Sequence, residues 1–121
     1  MSITAPTLSI SPEKVCFFIV KAHEYDIADS GANVADDGMI DPTFLELTAF
    51  INGLTEDEQV DLVALTWLGR GDGELSDWDD LRKEAARLHN KRTAAYLLGN
   101  PMLGDHLEEG LEIFGISSEG M

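Results

Sequence analysis

Three histidines, His23, His89 and His106, and one cysteine, Cys16, are the residues of this chain best suited to hold a metal or move a proton near neutral pH. Their spacing offers no such site. A helical histidine pair that grips a metal sits at i and i+4, and none of the three has a second histidine there. The Glu-x-x-His pattern of di-iron bundles is also absent, because Val20, Ala86 and Leu103 stand three residues before each histidine. Only a metal site assembled from residues distant in sequence stays open. Cys16 lies within the apolar run Val15-Cys16-Phe17-Phe18-Ile19-Val20 and reads as a buried, inert thiol. There is no Gly-x-Ser-x-Gly elbow, no phosphate-binding glycine loop and no zinc spacing. The sequence therefore predicts a non-enzyme, with no catalytic residues, no metal and no cofactor.

Two further motifs read as turns. Asp36-Asp37-Gly38-Met39-Ile40-Asp41 looks like the middle of a calcium loop, but that register puts Ala35 and Phe44 at ligand positions, and neither supplies a side-chain oxygen. Arg70-Gly71-Asp72 spells an integrin tripeptide and reads as the turn after a helix.

Polar side chains on apolar stripes are harder to dismiss. His106 lies between Leu103 and Leu107, His89 four residues after Ala85, and Arg92 four after Leu88. Buried polar groups must find partners. The plain expectation is a satisfied network joining the last two helices; the functional one is a small cleft near Trp67, His89, Arg92 and His106 that takes an anionic ligand. Gly110, inside the last helix, lets another helix backbone come close. Five of the eight basic residues fall at Arg82, Lys83, Arg87, Lys91 and Arg92. Lys83, Arg87 and Lys91 would form a stripe on one helix, either plain solvated surface paired with Asp79 and Glu84 or a docking stripe for an acidic partner or a second copy of the chain.

The net charge is −15, from 23 acidic and 8 basic side chains. That argues against general nucleic-acid binding and against adhesion to anionic membranes. It leaves room for a basic protein partner, and for carboxylates that imitate nucleic-acid phosphates. One cysteine excludes an internal disulfide, and the longest apolar run is too short to span a bilayer. The chain reads as cytoplasmic.

The elements that must position these residues are helices. Ser11-Pro12-Glu13 and Asp41-Pro42 are start signals, and Thr55 with Glu58 forms a capping box. Ser76 opens a helix that reaches Leu98 unless it breaks near Asn90. Asn100-Pro101 opens the last. Gly53, Gly69, Gly99 and Gly115 read as stops. The expected fold is all-α: a compact bundle of about five helices, with an arm over 1–10, a single domain over 11–116 and a frayed tail over 117–121. The first helix is expected to be central and to fade near Ala28 or Asp29. The expected core is Val15, Phe18, Ile19, Phe44, Leu47, Ile51, Val60, Val63, Trp67, Leu81, Leu88, Tyr96, Leu107, Leu111 and Phe114.

Several stretches then carry a resemblance: Leu8-Ser9-Ile10-Ser11-Pro12-Glu13-Lys14-Val15, Asp57-Glu58-Gln59-Val60-Asp61-Leu62-Val63-Ala64-Leu65, Trp67-Leu68-Gly69-Arg70-Gly71-Asp72, Arg92-Thr93-Ala94-Ala95-Tyr96-Leu97-Leu98-Gly99, and Leu103-Gly104-Asp105 through Leu107-Glu108-Glu109-Gly110-Leu111. The chain resembles an uncharacterised family of small, mostly alphaproteobacterial proteins known only as a domain of unknown function. The resemblance implies a bacterial cytoplasmic protein and no particular reaction, and directs attention to Trp67, Arg70, Arg92 and Tyr96. Relatives often carry a longer acidic insert near residues 36–42.

Three functions follow as expectations. The first is a non-enzymatic protein-interaction module that binds another protein or itself, using Lys83, Arg87 and Lys91. The second is a small-molecule binder or weak enzyme built on Trp67, Arg70, His89, Arg92, Tyr96 and His106. The third is an acidic mimic of nucleic acid that inhibits a basic protein.

Overall fold

The computed structural model describes residues 8–30, 42–100 and 102–115. Residues 1–7, the acidic loop over 31–41 and the tail over 117–121 lie outside the described residues. The described chain forms α1 (Pro12–Ser30), α2 (Pro42–Asn52), α3 (Glu56–Arg70), a short 3-10 turn (Leu75–Asp77), α4 (Trp78–Leu88), α5 (Thr93–Leu98) and α6 (Leu103–Ile113). It is an all-α bundle, with no strand among the described residues.

The middle helix, α3, is the core of the bundle. The Thr55 hydroxyl accepts from the Glu58 N–H at 3.2 Å, while the Glu58 carboxylate accepts from the Thr55 N–H at 2.9 Å. Two N–H groups with no partner inside the helix are thereby satisfied. Every residue from Val60 to Leu68 is buried. Helix α6 packs along one side of α3 and α4 along another, while α1 rests on α6 and α2, and α2 rests on α5. The expected centrality of α1 is thus corrected: its Phe17 and Val20 are exposed, and it buries only the face bearing Val15, Phe18, Ile19 and Ala22.

Two glycines set the approach of α3 to α6. A Cβ on Gly69 would lie 1.7 Å from the His106 carbonyl oxygen, and one on Gly110 would lie 2.6 Å from the Leu65 carbonyl oxygen. Gly69 is therefore not a stop. The helix runs on to Arg70, and Gly71, at φ 96°, adopts the left-handed turn that ends it. Gly110 plays the part expected of it, against α3.

A buried carboxylate adds a second tie. Asp61, fully buried on α3, accepts from the backbone N–H groups of Ser9 and of Ile10, the latter at 3.3 Å. Its other oxygen meets the Arg82 guanidinium from α4. Ile10 is fully buried and Leu8 packs against the core, so the end of the arm is part of the body.

The stretch 76–98, which the sequence left open to a break near Asn90, is broken there. Glu74 and Asp77 close the 3-10 turn, the Asp77 carboxylate accepting from the Glu74 N–H at 2.9 Å, and Ser76 is exposed and caps nothing there. Helix α4 ends at Leu88, and His89 turns to an extended ψ of 135°. The Asn90 side chain accepts from the Arg92 N–H at 2.7 Å, and the Thr93 hydroxyl donates to the Asn90 carbonyl at 2.9 Å. These local bonds offer the backbone an alternative to the helical ladder. Asn100 does not open α6 either. Its amide donates to the Tyr96 carbonyl at 2.7 Å and closes α5, and Met102, at φ 60°, precedes α6. The core differs accordingly. Leu88 and Tyr96 are 50% and 44% exposed, Phe44, Leu81 and Phe114 are only partly buried, and Trp78 is buried edge-on against Phe114 at 4.7 Å.

Gly69→Ala should lose about 3 kcal/mol or more of stability and Gly110→Ala about 1–3 kcal/mol, the range for overpacking, whereas Gly71→Ala should lose about 1–2 kcal/mol through its left-handed backbone alone. Urea titrations of the three variants check this order. Glu58 is held below its ordinary value of 4.5 by the Lys14 ammonium at 2.7 Å and then by the Thr55 N–H. A depressed carboxylate stabilises the fold above its unfolded pKa and loses that contribution as pH falls through the folded value. Glu58→Gln should therefore be less stable than the parent at pH 7, and the gap should close as the pH drops below 4.5; melting curves across pH read it.

Candidate functional site

The break between α4 and α5 opens a cleft of about 260 Å³. Its floor comes from α3, where Val60, Val63 and Trp67 share one face at i, i+3 and i+7. Ala85 and Leu88 of α4 form one wall, Thr93 and Tyr96 of α5 the other, and His89, Asn90 and Arg92 from the break stand at the mouth. The lining is thus apolar below and polar at the rim.

Hydrogen bonds fix most of the rim. The Trp67 indole N–H donates to the Tyr96 hydroxyl at 2.8 Å and joins floor to wall. The Gln59 amide nitrogen donates to the Ile51 carbonyl at 2.8 Å, which turns the Gln59 oxygen toward His89. His89 Nε2 lies 2.7 Å from that oxygen and so is the donor, while its Nδ1 lies 3.8 Å from a Glu56 carboxylate oxygen. The Arg92 side chain is exposed and has no partner among the described residues.

Of the expected site residues, Trp67, His89, Arg92 and Tyr96 come together in this cleft. Arg70 does not line it. Its guanidinium binds Asp72 at 2.6 Å and the Asn100 side-chain oxygen at 3.1 Å; Asp72 first, with the Tyr96 hydroxyl adding, raises it above its ordinary range. Arg70-Gly71-Asp72 is the turn that ends α3, as the sequence implied. His106 is also elsewhere: it sits half-buried on α6, with its carbonyl against Gly69. The expected network between the last two helices is replaced by one in which His89 reaches back to α3.

The basic stripe is corrected as well. Lys83 and Arg87 are exposed on α4, but Lys91 falls in the break and leaves the helix face. Arg87 is paired with Glu84 one turn before it. A polar hollow of about 230 Å³ between α3 and α4 takes in Lys83 together with Arg82, Glu56, Asp57 and Asp79. Cys16 is half-buried, not buried as the apolar run implied; burial first, then the charges of Glu108 and Glu13, pushes its thiol up.

The model of a family described as "Protein of unknown function (DUF3775)" matches residues 45–116. The chain belongs to the DUF3775 family. The DUF3775 match begins within α2 and takes in α3 to α6, and so includes every residue of the cleft. It leaves out α1, His23 and the stretch Leu8–Val15. No curated protein and no solved structure matches the chain. No described helix is long and apolar enough to cross a membrane.

Sequence reasoning missed Gln59, Leu88 as a lining residue, and Asp61. Asp61 had a signal: it is the one charged residue between Val60 and Leu65, in a stretch otherwise apolar. Tyr96→Phe should strip the nearly buried Trp67 indole of its acceptor and cost about 1–3 kcal/mol, whereas Arg92→Ala, at an exposed position, should stay within about 0.5 kcal/mol. Chemical denaturation of both variants decides it.

Proposed function

We propose that the chain is a non-enzymatic binding protein whose α3–α4–α5 cleft takes a small amphipathic anion, a compact aromatic or branched apolar body carrying one carboxylate. The apolar body would lie against Val63, Trp67 and Leu88, and the carboxylate would meet Arg92 at the mouth. The observation that carries this reading is the placement of an exposed arginine, without a partner among the described residues, at the rim of an apolar hollow. A guanidinium is suited to a carboxylate by its planar fork of donors. The volume of about 260 Å³ is slightly below that of sites for drug-sized ligands, which supports a smaller guest. Binding rather than catalysis is supported by the commitments at the rim: His89 is engaged by Gln59, and the Thr93 hydroxyl by the Asn90 carbonyl. The lone cysteine fits a cytoplasmic setting, and the sequence resemblance described above, taken by itself, suggests a bacterial one.

A protein partner is the second reading. Leu88 and Tyr96, 50% and 44% exposed, stand at the lip of the cleft and could accept an apolar side chain from another chain. The Lys83–Arg87–Lys91 stripe lends this reading little, since Lys91 has left the helix.

Tryptophan fluorescence titrated with aryl and branched acyl carboxylates, each beside its matching alcohol, tests the first reading. Carboxylates should bind saturably, and Arg92→Ala should weaken them about tenfold, the loss of one charge-assisted bond, while leaving the alcohols unchanged. No saturable binding by any carboxylate, together with a stoichiometric protein captured from lysate by the parent and lost with Leu88→Asp, would replace the first reading by the second.

A further inference from the structure

We propose that His23, Asp105 and Glu108 form a divalent transition-metal site that clips α1 to α6. His23 Nε2 lies 3.7 Å from an Asp105 carboxylate oxygen and 3.7 Å from a Glu108 carboxylate oxygen. One donor atom from each of the three falls within 4.8 Å of the other two. Asp105 and Glu108 are three residues apart on α6, so their carboxylates rise from one face. Across from them His23 is the only histidine of α1. Donors held at about 2.0–2.2 Å from a tetrahedral ion stand about 3.4 Å apart. Small side-chain rotations close the remaining gap.

A second, independent feature shows that the fold makes room for this imidazole. Gly104, buried on α6, lies under the His23 ring; a Cβ there would come within 3.1 Å of Cε1, 3.2 Å of Nδ1 and 3.3 Å of Nε2. Any side chain at this position would crowd the ring that faces Asp105 and Glu108. The donor set, one imidazole and two carboxylates, suits borderline ions such as zinc and cobalt better than calcium, which takes six to eight oxygens. The three side chains are 37%, 51% and 36% exposed, which leaves the remaining coordination positions to water. Cys16 lies near enough to Glu108 to feel its charge, but its sulfur is not among the converging donors. The site is separate from the cleft and does not depend on it.

Cobalt(II) titrated into the full chain, followed by visible absorption, reads coordination directly, and zinc competes for the same ion position. The expected result is one cobalt per chain, with the stronger absorption of a four- or five-coordinate ion, displaced by one equivalent of zinc and accompanied by a higher melting temperature. His23→Ala should abolish the absorption, His23→Gln should do the same with the ring's space kept, and Asp105→Asn should weaken binding at least tenfold. Cys16→Ser should leave the spectrum unchanged. A spectrum identical to that of the hydrated ion, or binding that persists in both His23 variants when circular dichroism shows them folded, overturns the site.

Discussion

The crossing of α3 and α6 is the constraint on which the rest of the bundle depends. At Gly69 and Gly110 the two helices lie backbone against backbone, and neither position has space for a methyl group. Once α6 lies this close, α3 is covered along that side, and α4 covers another. That is why its middle is buried on every face, including Thr66, whose hydroxyl is satisfied by the Leu62 carbonyl at 2.9 Å. The same contact turns the remaining face of α3, bearing Val60, Val63 and Trp67, toward the break after α4. The cleft is thus a product of packing on the opposite side of the same helix.

Much of the fold was legible because local rules and tertiary needs agree. Thr55 and Glu58 mark the start of α3 by a reciprocal bond that needs only four consecutive residues. Gly110 announced a close approach because a glycine inside a helix otherwise costs about 1 kcal/mol against alanine. Where the two levels part, the sequence misleads. Gly69 resembles a stop as much as a contact point, and only the position of His106 decides between them. Residues 76–98 keep an apolar repeat through Leu88 and Tyr96, yet Asn90 diverts the backbone by bonding to it, and the repeat then lines a hollow in place of filling a core.

The candidate sites divide in the same way. His89 and Arg92 could be grouped with Trp67 because polar side chains on apolar stripes ask for partners, whereas Tyr96 belonged to the expected core and only the resemblance pointed to it. His106 shared that property but lies at the helix crossing, away from the cleft, and Arg70, to which the resemblance pointed, is paired locally with Asp72 and Asn100. The trio His23, Asp105 and Glu108 was not legible at all, since more than eighty residues separate its histidine from its acids and only the packing of α1 on α6 brings them together.

Asp61 carries a consequence of another kind. It holds the start of the chain through the N–H groups of Ser9 and Ile10, which every residue but proline possesses. The clamp itself reads backbone, while the side chains of Leu8 and Ile10 on either side of Ser9 are held by the core. The family match begins only at residue 45, yet it contains the carboxylate that anchors what comes before it. In this chain the matched region thus receives the segment before α1 as a socket would, and at Ser9 what it holds is backbone alone.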